Sequence, residues 1–146
     1  PRCPLGGKHS GGQLLFRQQR REFIQERDDT RCTQVSLVSE QAAFLLDASR
    51  LIQKATQMGF VVTGGELYRT AEQQAIYVKN GRSKTMNSNH LKRLAIDLNV
   101  FRGGVLCYDI AVLKPLGDYW ERMNPKNSWG GNWAKFPDAP HYERRA

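Results

Sequence analysis

The chain holds 146 residues and three histidines, and two of those histidines keep company that could do chemistry. His90 opens the run His90-Leu91-Lys92-Arg93-Leu94-Ala95-Ile96-Asp97, and His141 closes Asp138-Ala139-Pro140-His141. Asp97 falls on the polar side of a stretch whose other side is continuous hydrocarbon, so its carboxylate either faces solvent or is held by a cation. Pro140 forces Ala139 into extended backbone, a rigid bend that could aim Asp138 and His141 into one site. Two neutral imidazoles and a carboxylate (His90, His141 and Asp97), with a fourth position left open, are the ligand set of a catalytic zinc. Such an ion acidifies water and polarises a carbonyl. A second carboxylate must then take the proton and pass it to a leaving amine, and Asp138 is the available candidate. Arg69 could supply positive charge to the oxyanion. A core histidine satisfied by an aspartate fits the same residue types, so spacing alone leaves both readings open.

The elements that must carry these residues follow from local patterns. Apolar residues at 44, 45, 48, 51, 52, 55 and 58 have helical spacing, and Gly59 sits where a helix-ending glycine belongs. Phe60 to Thr63 is a β-branched run stopped by Gly64-Gly65, a strand. Thr70 with Gln73 makes a capping box, opening a helix that runs to about Asn80 and closes at Gly81. Arg82 to Asn89 is polar and aperiodic, hence loop. Leu94 to Phe101 alternates, with Leu94, Ile96, Leu98 and Val100 on one face and Ala95, Asp97, Asn99 and Phe101 on the other. Gly103-Gly104 then turns the chain into Val105 to Tyr108, giving a hairpin in which Cys107 is a small buried hydrophobe. A helix is expected from Pro115 to Met123, with proline at its first position. Beyond Asn124 the chain reads as loop with one short strand at its end, and Trp129 and Trp133 as packing residues. The fold class is α+β, with an antiparallel sheet packed by helices.

Composition bounds the rest. Apolar residues make up 40% and charged residues 25%, which excludes wholesale disorder, and no apolar stretch is long enough for a membrane span. The 22 Lys and Arg against 14 Asp and Glu give a net charge of +8, favouring an anionic partner: nucleic acid, membrane, or a cell-wall polymer or lipopolysaccharide. Cys3, Cys32 and Cys107 are too few and too scattered for a disulfide framework or a thiolate zinc site. Residues 1–35, rich in breakers at first and with a short basic helix possible over Leu14 to Glu26, read as a basic arm preceding a domain at 36–146, and His9 within them needs no role. No signal-peptide pattern opens the sequence.

Ser88-x-His90-x-x-x-x-Ala95-x-Asp97 together with Asp138-x-Pro140-His141 resembles the signature of the zinc D-alanyl-D-alanine carboxypeptidase (VanY-type) family. The likeness is to its phage endolysin branch of L-alanyl-D-glutamate endopeptidases in particular. It spans about residues 40–143 and takes in Glu66 to Thr70, Gly81 to Thr85 and Trp129 to Trp133. The resemblance implies zinc on His90, Asp97 and His141, Asp138 as catalytic base, Arg69 on the substrate carbonyl, and Ser88 lining the peptide cleft. It implies the small zinc fold that the hedgehog signalling domain also resembles. The implied activity is cleavage of peptidoglycan stem peptides, at L-Ala–D-Glu, by a monomeric lysis enzyme made in the bacterial cytoplasm or carried on a phage particle. Such an enzyme would act at the cell wall, with no wall-binding module after the catalytic region. Asp138 matches the endolysin branch, since the carboxypeptidase branch commonly has Glu there. A D-Ala-D-Ala carboxypeptidase is the alternative within enzymes. Arg93, where the family usually has glycine, could narrow or recharge one cleft wall and keeps open an inert zinc-bearing binding domain. A nucleic-acid binder rests on charge alone and ranks last.

Overall fold

The structure is a computed structural model that describes residues 36–145. The readings for residues 1–35, including the basic helix over Leu14 to Glu26, His9, Cys3 and Cys32, lie outside the described residues. Ser39–Ala146 form one compact unit, which carries the whole sheet.

Helix α1, described over 36–57, buries the stripe Phe44, Ala48, Leu51 and Ala55. Leu45, Ile52 and Met58, which share its helical spacing, stay exposed, so the buried stripe is narrower than the apolar pattern. Gly59, at φ 84°, ends the helix, with Phe60 N donating to Ala55 O at 3.1 Å. Strand β1 (Val61–Gly64) begins one residue later than the β-branched run suggests. Helix α2 (Ala71–Lys79) starts where the capping box puts it: Thr70 Oγ1 accepts from Gln73 N at 3.2 Å. Strand β2 (Ala95–Arg102) shows the expected alternation and turns at Gly103-Gly104 into β3 (Val105–Leu106), which is shorter than expected. Cys107 lies past its end, half-buried against the core, so its place as a strand residue is corrected.

Two further expectations are corrected. Helix α3 runs Ile110–Met123, five residues longer at its start than a proline-led helix would be, and Pro115 sits inside it. The start is set by Asp109, whose Oδ1 accepts from Ala111 N at 2.8 Å and Val112 N at 3.3 Å. That cap satisfies the first-turn donors which proline at a first position merely lacks. The tail holds two strands rather than one: β4 (Asn127–Trp129) and β5 (His141–Arg144).

All strand pairs are antiparallel, in the order β1-β2-β5-β4 with β3 also on β2. The period of two along β2 and β5 sorts their side chains by face. Leu98, Val100, Tyr142 and Arg144 are buried in the core with Phe44, Trp120 and Leu113. Trp120 stands edge-on to Phe44 and Tyr142, at 5.6 and 6.0 Å between ring centroids. Asp97, His141 and Glu143 take the opposite face, and that face carries the site.

Candidate active site

Register creates the centre of the site. Asp97 on β2 and His141 on β5 are direct cross-strand partners, so their side chains leave the same face side by side. His141 Nδ1 lies 3.0 Å from Asp97 Oδ1. His90 enters from a single 3₁₀ turn, Asn89–Lys92, whose first N–H groups are met by Ser88: its Oγ accepts from His90 N at 3.4 Å. His90 Nε2 then stands 3.3 Å from His141 Nδ1 and 3.4 Å from Asp97 Oδ1.

Three donor atoms thus form a near-equilateral triangle. Metal–nitrogen bonds of about 2.0–2.1 Å in a tetrahedron place neighbouring ligand atoms about 3.3 Å apart, so this set fits one small divalent cation. Both histidines are buried while Asp97 is partly open, which leaves the cleft side of the triangle accessible. His90 Nδ1 is buried without a partner among the described residues.

Glu143 is a part of the site that sequence reading missed. Its Oε2 lies 3.2 Å from His141 Nε2 and accepts from Asn89 Nδ2 at 2.9 Å. A proton on Nε2 aimed at this carboxylate leaves Nδ1 free to face Asp97 and His90, the arrangement in which an outer carboxylate fixes a ligand's tautomer. The signal was available: His141 and Glu143 are two apart on a strand, hence on one face. Burial opposes charge on His141, yet its hydrogen bonds to Asp97 and Glu143 outweigh that and push it up to about 9. Asp97 is likewise disfavoured as an anion by burial, and hydrogen bonds from His141 and His90 hold its carboxyl well below the usual range.

The remaining expected residues converge on the same cleft, a cavity of about 420 Å³ lined by Arg69, Ser88, Asp138 and the three triangle residues among others. Arg69 is fastened through its backbone, with its N–H donating to His90 O at 3.3 Å. Just before it, Gly65 N donates to Asp97 O at 2.8 Å and Asp97 N to Glu66 O at 3.0 Å. Its guanidinium is forked onto Glu66, donates to Gln74 Oε1 at 2.7 Å, and lies 4.6 Å from the centre of the Tyr77 ring. Ser88 therefore has two parts, capping the turn of His90 and lining the cleft.

Asp138 rests on a floor built by Trp129-Gly130-Gly131. The fully buried Trp129 indole donates to Ala139 O at 2.8 Å, and Asp138 N donates to Gly130 O at 3.0 Å. A Cβ on Gly130 would stand 2.4 Å from Asp138 O and 3.0 Å from His141 Cβ, so only glycine lets this segment approach. His141 N closes the Asp138–His141 turn onto Asp138 O at 3.2 Å, which is the bend expected from Pro140. Asp138 opens onto the cleft, but the protein packed beside it strips enough water to push its carboxyl above the ordinary value. That shift suits a group that must hold a proton in passing. Trp129 is a packing residue as expected. Trp133 is not: it lines the cleft, its ring centre 5.0 Å from that of His141.

Arg93 is corrected as well. It caps the His90 turn in the left-handed conformation, φ 54° and ψ 37°, which explains a preference for glycine there through backbone geometry. Its guanidinium lies 4.1 Å from the Tyr68 ring centre, and Arg93 is not among the residues lining the cleft. It neither narrows nor recharges the site.

Fold and site together define a small α+β domain with an open His/Asp/His triangle beside a second carboxylate, and the chain is similar in sequence and fold to known proteins. Residues 81–144 match the profile of the D-alanyl-D-alanine carboxypeptidase family. The L-alanyl-D-glutamate peptidase of Listeria phage A118 is 32% identical over 106 residues, covering 66% of this chain. The chain spans about a third of that relative, 34% of its length. The crystal structure of the Serratia marcescens L-Ala D-Glu endopeptidase ChiX matches with a TM-score of 0.56 at 25% identity, over 68% of this chain and 78% of that one. The matched residues 81–144 carry every residue of the triangle and Asp138.

Proposed function

We propose that the chain is a zinc-dependent endopeptidase that cuts peptidoglycan stem peptides between L-Ala and D-Glu at the cell wall, with residues 36–146 as its catalytic domain. The observation that carries this reading is the triangle of His90, Asp97 and His141, open on the cleft side and faced by an uncommitted carboxylate, Asp138. Zinc suits a donor set of two imidazoles and one carboxylate. When bound, it supplies a Lewis acid for the scissile carbonyl and lowers the pKa of water.

The protein's own residues account for the remainder. Asp138, raised by its surroundings, accepts a proton from the attacking water and returns it to the departing amine. Arg69, held rigid by Glu66, Gln74 and Tyr77, offers a fixed positive charge where the carbonyl oxygen gains negative charge. Glu143 keeps His141 in the tautomer that presents Nδ1. Both named relatives are L-Ala–D-Glu peptidases, which favours the endopeptidase over the carboxypeptidase reading. The test is Asp138→Asn. Fold and metal content should be kept while cleavage falls by roughly 100-fold or more; an undiminished rate would remove Asp138 from the chemistry.

A further inference from the structure

The cleft holds two cations that this peptidase chemistry does not use. Arg82 and Lys84 lie on its 81–89 wall, and among the described residues neither forms an ion pair. Arg69, by contrast, is ion-paired with Glu66. Both free cations are steadied by aromatic rings: Arg82 stands 4.4 Å from the centre of Tyr77, and Lys84 Nζ 5.5 Å from that of Phe136 on the facing wall. Tyr77 is the same ring that carries Arg69, so Arg82 is one ring away from the group assigned to the scissile carbonyl.

The wall is also anchored. Gln74, fully buried on α2, accepts from Arg69 and donates to Ser83 Oγ at 2.8 Å and to Thr85 O at 2.5 Å. Arg82 and Lys84 therefore flank a residue tied to the same amide that holds Arg69. A loop fixed this way presents its charges at a set distance from the reacting bond, which is what selective recognition of a neighbouring group needs.

We propose that Arg82 and Lys84 form a carboxylate-binding subsite that selects the free carboxylate of the glutamyl residue beside the scissile bond. The proposal rests on the endopeptidase reading. A glutamyl residue has two carboxyl groups, and when one continues the chain the other remains as a free anion. Arg82 and Lys84, in the same cleft as the triangle and without an ion pair among the described residues, are the complement of that anion. Amidation of the carboxylate removes the charge without changing the shape, so the subsite predicts discrimination between the acid and its amide.

The experiment compares a stem peptide carrying the free glutamyl carboxylate with its amidated twin. It uses the full chain as wild type, as Arg82→Gln/Lys84→Gln, and as Arg102→Gln, a control for charge outside the cleft. The wild type and the control should favour the acid by about tenfold in kcat/KM, and the double variant should lose that preference, mainly through KM. Calorimetric binding of both peptides to the same proteins reads the subsite without cleavage. Equal cutting of acid and amide by wild type overturns the subsite while leaving the peptidase reading intact. Preference for the acid in binding, without any cleavage, supports the subsite and overturns the peptidase reading. A preference retained by the double variant, or lost equally in the control, assigns it to diffuse charge and overturns the proposal.

Discussion

At the scale of single residues, metal binding by the proposed triangle depends on a proton being in one place and absent from another. His141 must show Nδ1 bare, yet in the metal-free protein its hydrogen bonds to Asp97 and Glu143 hold it protonated up to about 9. An incoming metal ion therefore displaces a proton throughout the neutral range. Apparent affinity should climb by roughly tenfold per pH unit toward that value and level off above it. Calorimetry in buffers of different ionisation heat, repeated across pH, counts the released proton; a pH-independent affinity would mean that His141 is already neutral. Glu143 is tested separately. Glu143→Gln keeps the size but weakens the hold on Nε2, and metal affinity, read by competition with a chelator, should fall by about 10–100-fold. An unchanged affinity would reduce Glu143 to a partner of Asn89.

At the scale of elements, the site depends on close approach. Gly130 has the Asp138 carbonyl and the His141 Cβ where its own side chain would be. Gly130→Ala should displace the Asp138–His141 turn, lowering metal affinity and cleavage together and costing about 1–3 kcal/mol of stability. Thermal melting with and without metal checks this, and an alanine variant matching wild type in both would show that the floor yields. Elements also differ in how far they could be read in advance. The Asp97 and His141 positions were legible because strand alternation and the proline bend are local rules, and the β2–β5 register then brings them together. The start of α3 was not, because Pro115 is a louder start signal than Asp109, and only the side-chain hydrogen bonds decide between them. Strand β4 was hidden in a Trp/Gly/Asn run whose pairing with β5 is set by partners rather than propensity. Arg93 was legible as a departure from the family's pattern but not in its meaning, since a left-handed backbone leaves no mark on an arginine.

At the scale of the whole molecule, the site strand is tied to the first helix from behind. Arg144 on β5 is fully buried and bonded to Asp47 of α1 and to Asn127 Oδ1 at 3.0 Å, with Glu40 at 3.7 Å. Asp47→Ala leaves that guanidinium poorly compensated and should cost about 3–5 kcal/mol in denaturant unfolding. A loss below about 1 kcal/mol would mean that Glu40 and Asn127 suffice. Because β5 carries His141 and Glu143 on its other face, the same variant should also loosen the metal site. The net charge of +8 belongs to this scale too, as a field that favours anionic partners.

The proposed function comes down to one event, an amide bond cut with the help of a metal ion. Purified peptidoglycan digested by the full chain, with and without a chelator, should yield new D-Glu amino termini by mass spectrometry only when metal is present. Release of free D-Ala instead would assign the site to a carboxypeptidase, and no new ends from several wall types with metal bound would contradict a peptidase altogether.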